Sequence, residues 1–113
     1  MPNHDFAAQR KETYAAFAEL QAEDDLPEEA ELEFAFTAGL SANWDAFEAA
    51  LLDEGHQVER YLTDDQDPDF APYILASLPD HPISALAIWM SEEHITRIAL
   101  AHGFTPDGWG FTG

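Results

Sequence analysis

The hydrophobic pattern of residues 31–38 predicts a strand on which the rest of the fold is built. Leu32, Phe34 and Phe36 are separated by single polar or small residues, and this period of two is typical of a strand with one buried face. A strand face with two phenylalanines needs a cover. We therefore expect a helix to pack against it.

The residues that follow predict that helix and a second strand. After Gly39, large apolar residues recur at spacings of three and four, which is typical of a helix with one buried face; they are Leu40, Trp44, Phe47 and Leu51. Ser41 or Asn43 can cap the helix start, and Gly55 can end it. Residues 56–63 are interpreted as a second strand, so that residues 31–63 form a strand-helix-strand unit with a right-handed crossover.

The chain before this unit predicts one more helix and a linker. From Asp5 to about Glu23, apolar residues return every three or four positions, which predicts a helix that packs beside the first strand; the repeated positions are Phe6, Arg10, Tyr14, Phe17 and Leu20. Five acids and Pro27 within residues 23–29 end this helix, because proline cannot continue a helix and like charges repel.

The chain after the unit predicts a strand, a helix and a last strand. Residues 73–78 are rich in strand formers, and residues 79–82 contain two prolines that end the strand. Residues 83–102 have a helical period. An alternative makes residues 83–90 a strand and starts the helix at Ser91, whose hydroxyl could cap it. Residues 104–113 fit a final strand with a turn or bulge at Asp107 and Gly108.

This order of elements predicts an α+β fold of the ferredoxin-like type. Such a fold has a four-stranded antiparallel sheet with two helices on one face, and here it carries an additional N-terminal helix. The first and third strands would be central. We expect residues 1–113 to form a single domain, with residues 1–29 as helix and acidic linker and residues 30–113 as the ferredoxin-like core.

The charge of the chain restricts its partners. It has 23 acidic and 4 basic residues, for a formal net charge of −19, and each contact to a phosphate needs a cation. Nucleic acid and anionic membranes are therefore unfavourable partners, and a basic protein is favoured. With no cysteine, no signal peptide and no long apolar run, we expect a cytoplasmic protein.

No set of residues predicts catalysis, a cofactor or a metal. The chain has no cysteine nucleophile, Gly-x-Ser-x-Gly elbow or phosphate-binding glycine loop. Acids at positions 65, 67 and 69 copy the opening of a calcium loop, but Phe70 stands where that loop needs glycine and Ala76 where it needs glutamate. His94 and His102 are two helical turns apart, too far to share one ion, so packing or surface roles are favoured for both.

The C-terminal run of residues 99–110 resembles the end of the regulator of ribonuclease activity B family. In that family a Leu-Ala pair on the last helix is followed by a glycine and an Asp-Gly-Trp strand, as here at Leu100-Ala101, Gly103 and Asp107-Gly108-Trp109-Gly110. The resemblance extends over residues 31–110 through the order of elements. It implies a ferredoxin-like protein that inhibits or redirects ribonuclease E by binding the enzyme, without catalysis and without contacting RNA.

Three classes of function remain, and the resemblance favours a non-catalytic, protein-binding regulator of a ribonuclease. The alternative is an acidic interaction module such as an immunity protein bound to a basic toxin, and a small enzyme has no support in the motifs. Two acidic clusters are the candidate partner-binding residues: Asp64, Asp65, Asp67 and Asp69; and Glu23, Asp24, Asp25, Glu28 and Glu29. We interpret the motif Asp107, Gly108, Trp109 and Gly110 as structural, since aspartate and glycine form a bend and the indole packs on the sheet.

Overall fold

The computed structural model describes residues 4–62, 66, 69 and 71–112. Along the chain they form seven helices and strands: α1 (Phe6–Glu23), β1 (Glu29–Ala38), α2 (Trp44–Asp53), β2 (Gln57–Tyr61), β3 (Tyr73–Pro82), α3 (Ala85–Ala101) and β4 (Phe104–Thr112). No helix among the described residues is both long and apolar enough to cross a membrane.

The four strands form one antiparallel sheet in the order β2-β3-β1-β4. Strands β1 and β3 are central, as predicted, and β2 and β4 are the edges. The core lies between the sheet and the helices, where Phe36 of β1 meets Phe47 of α2 edge to face at 5.5 Å. This confirms the predicted α+β fold with the ferredoxin-like order of strands.

Local signals set the ends of α2 where the sequence places them. The side chain of Asn43 accepts a hydrogen bond from the Ala46 N–H, which makes Asn43 the N-cap. Gly55 follows the helix with φ 86°. Leu40 lies before the cap and is fully exposed, so it is not part of the apolar helix face on which the pattern placed it.

Strand β3 is longer than predicted, because neither Pro79 nor Pro82 ends it. The register between β1 and β3 shifts by one residue between Ala30 and Leu32, and Asp80 on β3 has φ 52° at this bulge. β2 pairs with β3 only as far as Ser77. Both prolines therefore lie where β3 has no strand partner on its β2 side, and a missing N–H is tolerated there.

Helix α3 is continuous, so the alternative that made residues 83–90 a strand is wrong. Ser84 caps it by accepting from the Ala87 N–H at 3.1 Å. Gly103 follows the helix with φ 83°, and a Cβ there would lie 2.9 Å from the carbonyl oxygen of Ser41. Both the backbone angle and the close approach of the neighbouring loop require glycine at this position.

Strand β4 contains the predicted bulge. Its register with β1 shifts between Phe34 and Phe36, which places Asp107 and Gly108 opposite one residue of β1. Gly108 has φ 111°, an angle that side-chain-bearing residues rarely adopt. The bulge interrupts the regular pairing with β1 just before Trp109.

The sequence predicted that α1 packs beside β1, whereas in the structure α1 packs against α3. Its buried residues are Gln9, Thr13 and Phe17, and of these only Phe17 belongs to the predicted apolar set. The polar residues Gln9 and Thr13 therefore lie on the buried face of α1, and the apolar pattern did not identify this face.

Candidate functional site

A groove of about 900 Å³ lies between α1 and β4, and we call it the α1–β4 groove. Its apolar lining comes mainly from β4 and from the end of α1: Leu20, Leu26, Pro106, Trp109 and Phe111. Trp109 and Phe111 are half-buried and stack at 6.4 Å between ring centroids. The groove therefore offers a partner an accessible aromatic surface.

Carboxylates line the same groove. They are Asp5, Glu12, Glu19, Glu23, Asp24 and Glu92. The chain has four arginine and lysine residues, all in the described part, and none of them lines the groove. Apart from His4, its titratable lining is acidic, and this makes the groove attractive to cations.

A buried hydrogen-bond network joins α1, α3 and β4 at the base of the groove. Glu92 of α3 is only 4% exposed. The Thr13 hydroxyl donates to Glu92 Oε1, and Gln9 Nε2 donates to Glu92 Oε2 at 3.2 Å and to Thr96 Oγ1 at 3.1 Å. The indole N–H of Trp109 donates to Thr13 Oγ1 at 3.3 Å.

The network extends to the mouth of the groove. His4 Nε2 lies 2.7 Å from Gln9 Oε1, to which it donates. Burial raises the pKa of the Glu92 carboxyl above its usual range, the hydrogen bonds from Thr13 and Gln9 oppose this rise, and the Glu12 charge adds to it. The network therefore holds the Glu92 carboxyl group at the base of an acidic groove, where burial makes its charged form unfavourable.

The structure places the family-like motif at this groove. Gly108, Trp109 and Gly110 line it, while Asp107 is exposed at the bulge. The bulge agrees with the structural role interpreted for Asp107 and Gly108. Trp109 packs on the core and also faces the groove, so its position is compatible with both packing and binding.

The candidate acidic cluster at residues 23–29 lies at one end of the groove. All five of its acids are exposed. Glu23 and Asp24 line the groove, and Asp24 also lines an adjoining depression of about 320 Å³ together with Asp25 and Glu28. This part of the predicted surface is therefore continuous with the α1–β4 groove.

The second candidate cluster follows β2 and precedes β3 in the chain. Asp64, Asp65 and Asp67 lie outside the described residues, whereas Asp69 is exposed. The described flank of this loop, Pro72, accepts a hydrogen bond from the Ala38 N–H at the end of β1, while Glu28 adjoins the start of β1. The described flanks of the two clusters therefore adjoin opposite ends of β1.

His94 and His102 each have contacts within the fold. His94 Nε2 lies 3.0 Å from Glu54 Oε2, and His102 Nδ1 donates to the Ile98 carbonyl at 2.8 Å while its ring stacks on Phe47. Among residues 4–62, 66, 69 and 71–112, no three histidine or acidic side chains are grouped as metal ligands.

The apolar pattern missed Gln9, Thr13 and Glu92, although the sequence contains a signal for the last of them. Glu92 falls at helical spacing between Ile88, Ile95 and Ala99, all of which are buried. An acid on that face must be buried with them, and a buried carboxyl needs hydrogen-bond donors. The identity of those donors could not be inferred, since they lie about 80 residues away on α1.

Comparison with known proteins agrees with the resemblance seen in the sequence. A search among curated proteins gave no match. The family model described as regulator of ribonuclease activity B matches residues 10–111. This match begins inside α1, about one turn before its centre, and so includes most of the helix that the sequence resemblance left outside. With nearly the whole described chain matched, the protein belongs to the regulator of ribonuclease activity B family.

Proposed function

We propose that this protein is a non-catalytic regulator that binds ribonuclease E, or a protein associated with it, and lowers its activity without contacting RNA. Family membership supports a ribonuclease as the regulated enzyme. The observation that carries the mode of action is the α1–β4 groove, in which acidic side chains of α1 lie opposite the accessible aromatic surface of Trp109 and Phe111.

Electrostatics favour a protein target over RNA. A surface that binds RNA needs cations for the phosphates, and this chain has 4 bases against 23 acids. Arg60 is already engaged with Asp45 and Glu48, and Arg97 with Glu93. A ribonuclease binds phosphate backbones through its own cations, and an acidic partner attracts those cations by the same long-range field.

The contact residues of this proposal are the two acidic clusters. The first is Glu23, Asp24, Asp25, Glu28 and Glu29, which adjoins the groove; the second is Asp64, Asp65, Asp67 and Asp69. Since the described flanks of the two clusters adjoin opposite ends of β1, each cluster is expected to act on association separately. We also propose a cytoplasmic location, where such a partner would be found.

The test is binding of the purified protein to ribonuclease E from the same source, combined with cleavage of a model RNA. We expect binding that weakens as salt rises, slower cleavage, and no binding to the RNA alone. Changing all acids of one cluster to asparagine or glutamine should slow association by about tenfold at low salt. Circular dichroism should show an intact fold, because exposed acids contribute little to stability.

Two outcomes would contradict the proposal. Direct binding to the RNA would exclude action through the enzyme. Absence of binding to ribonuclease E at low salt would favour the alternative, an acidic immunity or other interaction module with a different basic partner; an adjacent toxin gene that encodes a basic protein would support that alternative.

A further inference from the structure

Strand β4 is an edge of the sheet whose backbone is accessible in the α1–β4 groove. β4 pairs with β1 on one side, and no other described strand pairs with it. Gly108 and Gly110 line the groove, and the space around the missing Cβ of each is open. An extended chain can therefore approach the backbone of β4, and sheet edges commonly bind peptides in this way.

The wall of the groove opposite β4 is formed by α1, and its acidic residues favour a positively charged chain. Helix α1 contains three acids, Glu12, Glu19 and Glu23, and all three line the groove, whereas its two bases, Arg10 and Lys11, do not. The acids of α1 thus line the groove, whereas its bases lie away from the groove. The three carboxylates extend over eleven residues, or about 16 Å of helix.

The spacing of the carboxylates fits an extended segment. Side chains on one side of an extended chain recur every second residue, so three alternate cations extend over about 13 Å. Flexible arginine or lysine side chains can bridge the remaining difference to the helix. Trp109 and Phe111 lie on the same face of the sheet as α1 and are accessible in the groove. A large apolar residue on the same side of the segment as its cations would therefore contact their stacked rings.

We propose that the α1–β4 groove binds an extended basic segment of the partner, aligned along the edge of β4. Alternate arginine or lysine side chains of this segment contact Glu12, Glu19 and Glu23, and an apolar side chain contacts Trp109 and Phe111. This deepens the proposed function and rests on it for the identity of the partner. A second copy of this chain is disfavoured as the occupant by its charge of −19, and RNA by the same charge.

The test uses a labelled peptide of alternating arginine and valine, with leucine in place of the last arginine, as the probe, and fluorescence anisotropy as the readout. The leucine then lies on the same side of the extended peptide as the arginines. A peptide of the same composition, with all arginines before all valines, is the probe control. We expect the alternating peptide to bind more tightly at moderate salt. In a ¹⁵N-labelled sample, the amide shifts it causes should be concentrated in α1 and in residues 106–112.

Two variants with matched changes in charge distinguish binding in the groove from general attraction to the negative charge of the protein. The groove variant is Glu12→Gln, Glu19→Gln and Glu23→Gln. The control variant is Asp53→Asn, Glu59→Gln and Asp80→Asn, which removes the same charge from exposed residues that do not line the groove. Asparagine tolerates the positive φ of residue 80. The groove variant should lose about tenfold in affinity, and the control variant less than about twofold.

A third probe tests the contact with the strand edge. Methylation of every second backbone nitrogen of the alternating peptide removes donors without changing its charge. It should weaken binding if the peptide pairs with β4. Equal affinity of the methylated and unmethylated peptides would overturn alignment along the strand.

The outcomes distinguish this inference from the proposed function. If ribonuclease E binds and the two variants lose affinity equally, the groove inference is overturned and the proposed function stands. If the alternating peptide binds in the groove and ribonuclease E does not bind, the proposed function alone fails. Amide shifts in α1 and in residues 106–112 on addition of single-stranded RNA without the peptide would overturn the inference. Sedimentation that shows the protein self-associating through the groove would overturn it as well.

Discussion

Glu92 shows how one residue connects stability with the groove. Its carboxyl group is buried where α1, α3 and β4 meet, and it accepts hydrogen bonds from Thr13 and Gln9. A buried carboxyl that lost these donors would leave its oxygens without partners, at a cost of about 1–3 kcal/mol. The hydrogen bonds therefore help to position α1, and with it the acidic wall of the groove.

The raised pKa of Glu92 predicts a pH effect with a defined sign. Between the ordinary pKa and the raised one, the folded state binds a proton more readily than the unfolded state does. The contribution of Glu92 to stability is therefore fully present below its ordinary pKa and is lost as pH rises through the raised pKa. In Glu92→Gln this loss cannot occur.

We therefore expect the free energy of unfolding of Glu92→Gln, minus that of the wild type, to increase between pH 4 and pH 8. Urea denaturation across this range measures it. Burial lowers the pKa of His56, which makes both proteins less stable as pH falls below about 6.5, and this effect cancels in the difference. Glu93→Gln on the same helix controls for the loss of one carboxylate, and a difference that falls with pH would contradict the prediction.

At the scale of elements, β4 and α1 together form the groove. Their positions depend on the bulge of β4 and on a side-chain contact between β4 and α1, and the hydrophobic pattern along the sequence does not fully describe either feature. The bulge at Asp107 and Gly108 interrupts pairing with β1 just before Trp109. The indole of Trp109 then donates to Thr13 on α1. The bulge and this contact connect the edge strand to the helix on the other side of the groove.

Gly108→Ala should destabilise the fold by about 1–3 kcal/mol, since φ 111° is strained for any residue with a Cβ. Gly110→Ala is a matched control: it lies two residues away on the same strand, it also has open space at its Cβ, and it has no positive φ. Thermal or urea denaturation of the two variants measures the difference. Equal destabilisation would show that the bulge angle is not the cause.

At the scale of the whole molecule, the charge is distributed unevenly. Of 23 acids, 20 lie between Asp5 and Asp80. Six carboxylates line the α1–β4 groove. Two of them, Glu19 and Glu23, lie one helical turn apart and repel each other by about 0.2–0.5 kcal/mol.

We expect the fold to become more stable as sodium chloride rises from low to moderate concentration, because salt screens this repulsion. Denaturation midpoints measure the effect. The variant Glu12→Gln, Glu19→Gln and Glu23→Gln should show a smaller gain than the variant Asp53→Asn, Glu59→Gln and Asp80→Asn. An unchanged wild-type midpoint would mean that the acids are already paired or too far apart.

The sequence predicted most of the fold because the relevant signals are local. The alternation in β1, the cap at Asn43 and the glycines after α2 and α3 each act within a few residues, and all are confirmed. The extent of β3 was not predicted. Proline normally ends a central strand, and only the limited length of β2 left room for Pro79 and Pro82.

By itself the sequence determined the fold class, the acidic character and the resemblance that the family match confirms, since periodicity, charge and a short motif can all be read along one chain. Only the tertiary structure decided that α1 buries Gln9 and Thr13 and that its acids face Trp109 across a groove. A polar residue is buried when a partner from another element satisfies its hydrogen bonds. Such partners are distant in sequence, so their meeting depends on the packing of the complete fold.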